Sequence, residues 1–271
     1  MKNDLTIIVN SSDGFEDCWD PFFKLFSTFW PNCEINILLN TEHKSYAYPG
    51  LNISTSKSNS NNPERRLTWS ECLINTLHQV KTPFVLYLQE DYFVEKLVLI
   101  DVIADFVKKM GEDPSIKYIG LTHFGNYAPF KPWQRDSRLW EVSQNTRYRI
   151  STQAGIWQRD ILLSYLRPDE NGWMFEIFAT KRSYRRNELF LTANRDIYSP
   201  VATPIMQYEH TGIIKGKWHP LIPALFAKHQ IKMDFSKRGM YNEKPWLLRK
   251  IETARKLLKN PAKFYNGMRG L

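Results

Sequence analysis

Ten residues constrain this chain more than any others. FVLYLQEDYF, positions 84 to 93, is a run of strand-forming hydrophobes that stops on two adjacent carboxylates, Glu90 and Asp91, and then resumes with aromatics. A strand apolar on both faces belongs in the middle of a sheet covered by helices, so its last residues emerge at the end of the sheet. Open α/β sheets bind their ligands there, outside the carboxyl ends of the strands.

The flanking pattern supplies such a sheet. LTIIVN (5 to 10) reads as an apolar strand that runs into turn chemistry at Ser11, Ser12, Asp13 and Gly14. Next, Trp19, Phe22, Phe23, Phe26 and Phe29 or Trp30 recur at helical spacing and stop before Pro31. EINILLN (34 to 40) is a second strand, and the Ser-, Asn- and Pro-rich stretch after it is a loop with room for one short strand. Residues 67 to 80 carry one apolar stripe of a helix, which leads into the opening strand. Strand, helix, strand is the start of a parallel sheet with crossover helices, so Asn10, Asn40 and Asp91 are expected to converge.

Further on, 98 to 110 reads as a helix and KYIGLTHF (117 to 124) as a strand. Strand or turn is expected up to Ala154 and Gly155, a helix from near Gln158, and another in GWMFEIFATKRSYRR. The tail from Lys244 is a basic amphipathic helix, with Arg249, Lys250, Arg255, Lys256, Lys259, Lys263 and Arg269 among leucines and aromatics. Such a helix either packs its apolar face on the domain or lies in an anionic membrane surface.

Composition narrows the class. With 271 residues, 42% of them hydrophobic, the chain can bury a real core. Three cysteines without a CxxC pair suggest neither a disulfide framework nor a zinc knuckle, and fit free thiols in a reducing cytoplasm. The apolar run of the N-terminus is too short for a signal peptide, and no segment reads as a membrane span. A net charge of +9 points to an acidic partner: nucleic acid, anionic lipid or a phosphorylated small molecule.

A carboxylate pair at the exit of a central strand can hold a divalent cation, which takes hard oxygen ligands and leaves positions for phosphates. The same two acids could instead cap the next helix. Glu176 could act as a general base beside the aromatic face of Trp173, or pair with Lys181 or Arg182 on a solvated helix face.

The Trp69-Ser70 helix leading into QEDY (89 to 92), together with STQAGIWQRDILLSYLRPDENGWMFE (151 to 176), resembles the GT-A-type glycosyltransferases of bacterial polysaccharide and lipopolysaccharide clusters. The likeness covers roughly residues 5 to 215. It implies a mixed, mainly parallel α/β sheet of GT-A type flanked by helices. The catalytic domain would span 1–220, with a nucleotide-sugar half up to about 125 and an acceptor half from 126, before a helical extension over 221–271. It implies donor contacts at Asn10, Ser11, Asn40, Arg65, Arg66, Trp69, Gln89, Glu90, Asp91 and Lys217. Acceptor contacts would fall at Gln153, Gly155 and Trp173, and the catalytic base at Glu176.

In this family an Asp-x-Asp triplet holds Mg2+ or Mn2+. Here the triplet is Gln89-Glu90-Asp91, which leaves Asp91 as the ligand, with His210 completing the site and His123 competing with it. The implied partners are a nucleotide-sugar donor and a glycan acceptor hung from a lipid carrier, in the cytoplasm against the inner face of the cell membrane, with no nucleic acid. The other readings are a carboxylate glycoside hydrolase, which needs two acids facing one bond, and a basic nucleic-acid-binding protein with steep salt dependence.

Overall fold

The structure is a computed structural model that describes residues 1–60 and 64–243. The chain divides into two compact units, 1–210 and 211–271. In the first, the order is β1 (Leu5–Asn10), α1 (Trp19–Phe29), β2 (Ile37–Leu39), β3 (Ile53–Thr55), α2 (Trp69–Leu77), β4 (Phe84–Gln89), α3 (Ile100–Glu112) and β5 (Ile116–Gly120). It continues with β6 (Phe130–Pro132), β7 (Leu139–Val142), β8 (Gly155–Gln158), α4 (Arg159–Tyr165), α5 (Gly172–Ser183) and β9 (Leu189–Ala193). The described part of the second unit holds the hairpin β10 (Ile213–Ile214) and β11 (Lys217–Trp218), then α6 (Ile222–Lys228). The expected basic tail helix lies outside the described residues. Among the described residues no helix is long and apolar enough to cross a membrane.

The architecture is the mixed, mainly parallel α/β sheet expected from the sequence. Nine strands form one sheet in the order β3-β2-β1-β4-β8-β5-β9-β7-β6. β1 pairs in parallel with both β2 and β4, and Asn10 falls opposite Gln89 in the register. Only β8 and β7 run against the other seven strands.

Every residue of β1 is buried, which fits a central strand covered on both faces. On one face Ile8, Val85, Tyr87, Trp157 and Phe190 pack with Leu73 and Leu77 of α2, Tyr165 of α4 and Phe175 of α5. Local chemistry sets the helix starts. Thr68 and Glu71 form a reciprocal capping box for α2, and the Asn171 side chain accepts the Met174 amide at the start of α5.

β8 is the element that the sequence pattern conceals. Strand or turn is expected up to Ala154-Gly155 and a helix from near Gln158; α4 does begin at Arg159, yet Gly155–Gln158 forms a strand inserted antiparallel between β4 and β5. β9 is likewise a five-residue apolar run, LFLTA, too short to separate by pattern from its polar surroundings. The antiparallel sense of β8 matters for function, because Gly155 sits opposite Tyr87. Residues 151–154, just before β8, therefore run alongside the acidic turn that follows β4.

Gly155 itself is buried under the Tyr118 ring, where an added Cβ would collide with Cε2. Tyr118 cannot step aside, because it packs against Trp157 and Phe190. Gly155→Ala is expected to cost about 1–3 kcal/mol of stability, the usual range for overpacking a well-filled core. Urea denaturation measures it, and a midpoint equal to that of the parent would refute the tight seam.

Candidate functional site

The strand ends converge as the parallel sheet requires, and some of the converging groups are consumed in holding them together. The Asn40 amide donates to Asn10 Oδ1 at 2.8 Å, while its own carbonyl oxygen accepts from Ser56 Oγ at 3.1 Å and Thr76 Oγ1 at 2.8 Å. Both lone pairs of that oxygen are thereby used, and Asn10 and Asn40 are buried. They form a polar hub that joins β1, β2, the segment after β3, and α2. Ser11 accepts the Trp19 indole N–H at 2.8 Å, which pins the turn after β1.

Glu90 and Asp91 lie in the tight turn closed by the Tyr92 amide on Gln89 O at 3.1 Å. Both acids are buried. They do not cap a helix, since α3 begins nine residues later. Their charges act on the buried Tyr87 hydroxyl together with that of Glu176; burial is the main cause that drives this phenol well above its ordinary value, and the acids add to it. Glu90, Asp91 and Glu176, from two elements far apart in sequence, thus all act on one buried phenol.

Glu176 is half-buried on α5. Its Oε1 accepts from the Thr152 amide at 2.8 Å, the Thr152 hydroxyl at 2.8 Å and the Ser151 hydroxyl at 3.5 Å. Among the described residues its other oxygen, Oε2, receives no hydrogen bond. Burial pushes the carboxyl above its ordinary value, and the bonds from Thr152 and Ser151 oppose that push. The alternative pairing with Arg182 does not form, because Arg182 is committed to Glu170 through two bonds of 2.6 and 2.7 Å.

The backbone of one residue joins the two acidic elements. The Thr152 carbonyl accepts from the Tyr92 hydroxyl at 2.9 Å, while the amide of the same residue holds Glu176. Gln153 completes the linkage: its amide donates to the Tyr92 oxygen and its carbonyl accepts the Tyr208 hydroxyl, both at 3.1 Å. Tyr92 and Tyr208 stack face to face with centroids 4.5 Å apart. Gln153 and Gly155, expected to meet the acceptor, are therefore placed within the frame, buried and engaged.

The remaining expected residues scatter more widely. Arg65 is exposed and paired with Glu71 of the α2 capping box at 2.5 Å, and Arg66 is exposed beside it. Trp69 packs on Phe175 and against Gly172, so it supports α5 from below. Trp173 is 41% exposed and shares a helix face with Glu176, three residues on. His210 lies edge-on to Phe124 at 5.0 Å, and His123 contacts the same ring at 3.8 Å. Burial, with Arg195 and His210 nearby, lowers the His123 ring below its ordinary value, against the pull of Glu209. Lys217 is an exposed residue of the second unit.

Sequence reasoning passed over Tyr87, Tyr92, Ser151, Thr152 and Tyr208. The usable signal was the SerThrGln run before β8, three hydrogen-bonding side chains in a row ahead of an apolar strand.

Among the described residues no group of three or more His, Cys, Asp or Glu side chains is arranged to hold a metal ion. No family model matches the chain, and no curated protein sequence matches it. Solved structures do match. S. aureus TarS aligns over 70% of this chain and 35% of its own, at 16% identity and TM-score 0.46. Residues 1–349 of S. aureus TarS in complex with UDP-GlcNAc align over 70% and 59%, at 14% identity and TM-score 0.44. Glucosyl-3-phosphoglycerate synthase from Mycobacterium tuberculosis, in complex with phosphoglyceric acid, aligns over 85% and 81%, at 10% identity and TM-score 0.44. The chain spans well under two thirds of the length of either TarS structure.

Thr152→Val keeps the backbone bond to Glu176 and removes the hydroxyl bond. Because that bond favours the ionised carboxylate, the Glu176 value is expected to rise further in the variant, as read by carboxyl carbon NMR titration. The sign for stability follows. A carboxyl raised on folding favours the protonated form, so stability falls as pH climbs from the ordinary glutamate range, about 4.3, through the raised value. Glu176→Gln should flatten that slope, and a slope that persists would show that Glu176 is not its source.

Proposed function

We propose that the chain is a glycosyltransferase that moves a sugar from a nucleotide-sugar donor to a glycan acceptor. The observation that carries the reading is the state of Glu176, a carboxylate whose Oε1 is locked by Thr152 and Ser151 while Oε2 is left to take a proton. A base whose affinity for protons is raised by burial and whose orientation is fixed is suited to deprotonating a hydroxyl. The acceptor oxygen then attacks the anomeric carbon as the bond to the diphosphate breaks, its proton passing to Glu176 and its electron pair to the sugar. A single base facing the leaving group inverts the anomeric centre.

The donor belongs at the ends of β1, β2 and β4, which form the nucleotide-sugar half, residues 1 to about 125; the acceptor half follows from 126 to 220. The residues present fit a divalent cation of the Mg2+ or Mn2+ kind. Two buried acids in one turn offer the hard oxygens that such ions take, and an ion of this kind draws its other ligands from water and phosphate. Asp91, joined by Glu90 or His210, would hold it, and it would supply charge neutralisation at the departing diphosphate. The Arg65-Arg66 pair supplies the basic groups assigned to that diphosphate. A hexosyl donor, a lipid-linked acceptor in bacterial surface polysaccharide synthesis, and work at the inner face of the cell membrane complete the proposal; the eight basic residues of the tail from Lys244 support the last point.

The linkage through Thr152 of Glu176 to the turn that carries Glu90 and Asp91 favours one second reading, a glycoside hydrolase that uses a pair of carboxylates. Sugar release from a polysaccharide with no nucleotide present would select it.

Replacing Glu176 by Gln is expected to lower transfer by about 100-fold or more, the usual contribution of a positioned base, while the thermal shift produced by a nucleotide sugar with Mn2+ is retained. Turnover at the parental rate would reject the base. Asp91→Asn should lower transfer too, but by erasing the Mn2+-dependent part of that shift.

A further inference from the structure

The base is held by a turn, and a loop from elsewhere in the sheet rests on that turn. Ser151 is the pivot: its buried hydroxyl accepts the Gln153 amide at 3.2 Å and donates to Glu176 Oε1 at 3.5 Å. The loop after β5 crosses this pivot at Gly125, and the approach is closer than a side chain permits. A Cβ at position 125 would stand 2.8 Å from Ser151 Oγ and 3.2 Å from the Cβ atoms of Ser151 and Gln153. Gly125 also has φ +89°, in the left-handed region that suits glycine.

The loop is held on both sides of this glycine. Before it, the Thr122 hydroxyl donates to Phe124 O at 3.3 Å, and the Phe124 ring lies 6.3 Å, centroid to centroid, from that of Tyr208, which holds the Ala154 amide. After it, the Asn126 side chain donates to Arg149 O at 3.0 Å, and its backbone carbonyl accepts from Arg195 at 2.6 Å. Asn126 is buried. Bulk added at position 125 is therefore relieved at the most movable atom it meets, the Ser151 hydroxyl, which can swing to another rotamer. That swing breaks both of its bonds, the one that shapes the turn around Thr152 and the one that reaches Glu176. The fold survives the rotation; the placement of the carboxylate does not.

We propose that Gly125 is a positioning residue for the base: it admits the loop after β5 onto Ser151 with no side chain between them, and so keeps the donors of Ser151 and Thr152 aimed at Glu176. The inference rests on the transferase reading and adds a control element to its site. A glycine needed only for its backbone makes a different prediction. Its replacement would lower stability and leave the Glu176 carboxyl as it is.

The test uses the full chain labelled with carbon-13 at its glutamate carboxyls, the Glu176 signal being the one lost in Glu176→Gln. Gly125→Ala should raise the Glu176 titration midpoint, because donors to a carboxylate favour its ionised form. Gly50→Ala is the control: Gly50 has φ +78° and open space where a Cβ would stand, so the variant carries backbone strain without the contact. Its midpoint should equal that of the parent. Ser151→Gly removes the hydroxyl and the Cβ that the new methyl would meet, so adding Gly125→Ala to it should move the midpoint no further. With Mn2+ and a nucleotide sugar, release of the nucleoside diphosphate by Gly125→Ala should show kcat lowered about tenfold at an unchanged donor KM, as for a misplaced catalytic group.

A parental midpoint or a parental kcat in Gly125→Ala, an equal midpoint shift in Gly50→Ala, or a further shift in the combined variant overturns the positioning role. Failure of the transferase reading shows separately, as a parent that releases no diphosphate while its Glu176 midpoint still responds to Gly125→Ala.

Discussion

The site depends on the backbone of one residue. Thr152 contributes its N–H from the peptide group before it and its C=O from the group after it, and each of those groups is planar. Around Thr152 the amide N–H holds Glu176 and the carbonyl of the same residue holds Tyr92, the neighbour of Asp91. Two acidic elements more than eighty positions apart in the chain are thereby spaced by groups with little freedom to move. Bonds that involve an ionised group contribute roughly 1.5–3 kcal/mol each, and the threonine hydroxyl adds a second one on the same oxygen. Only an antiparallel β8 brings this residue to the carboxyl end of β4. A parallel strand in that place would carry 151–154 to the opposite end of the sheet.

Periodicity made half of this legible in the sequence. LTIIVN, the Trp19 to Phe29 stripe, the Trp69 helix and FVLYLQ stand where hydrophobic spacing puts them, because each buries a continuous apolar face and tertiary context has little to override. β8 escaped because a four-residue strand flanked by turn and helix has no period to detect, and β9 for the same reason. At the site, residue type predicted that a side chain was polar and placed near the cleft, but not where its bonds went. Asn40 and Gln153 show the difference. Both lie among the elements that form the cleft, and both spend their amides on its frame.

Tyrosine is well chosen for such a frame. Glu90, Asp91 and Glu176 would repel one another across a dry gap, and an arginine among them would neutralise the charge that the site needs. Phenols supply donors without a positive charge. Burial, with the Asp91 charge adding to it, keeps Tyr92 and Tyr208 protonated well above their ordinary range, so these donors do not titrate near neutral pH. Their rings also stack, as Tyr92 does on Tyr208, which lets one residue serve both the polar frame and the packing.

α5 explains why the base can be placed so closely. Trp173, Glu176 and Thr180 follow one another at spacings of three and four, so they form a single stripe along the helix. The far end of that stripe is fixed: the Ile150 amide donates to Thr180 Oγ1 at 3.0 Å, in the same segment that holds Glu176 two residues later. The near end is fixed by the Asn171 cap and by the buried Glu170–Arg182 pair, which ties the turn before α5 to its last turn. With both ends held, the helix can neither slide along nor rotate about segment 150–152 without breaking several buried bonds at once. The aromatic ring at the top of the stripe and the carboxylate below it therefore keep a constant relation, as a base on a rigid element does and one on a loop does not.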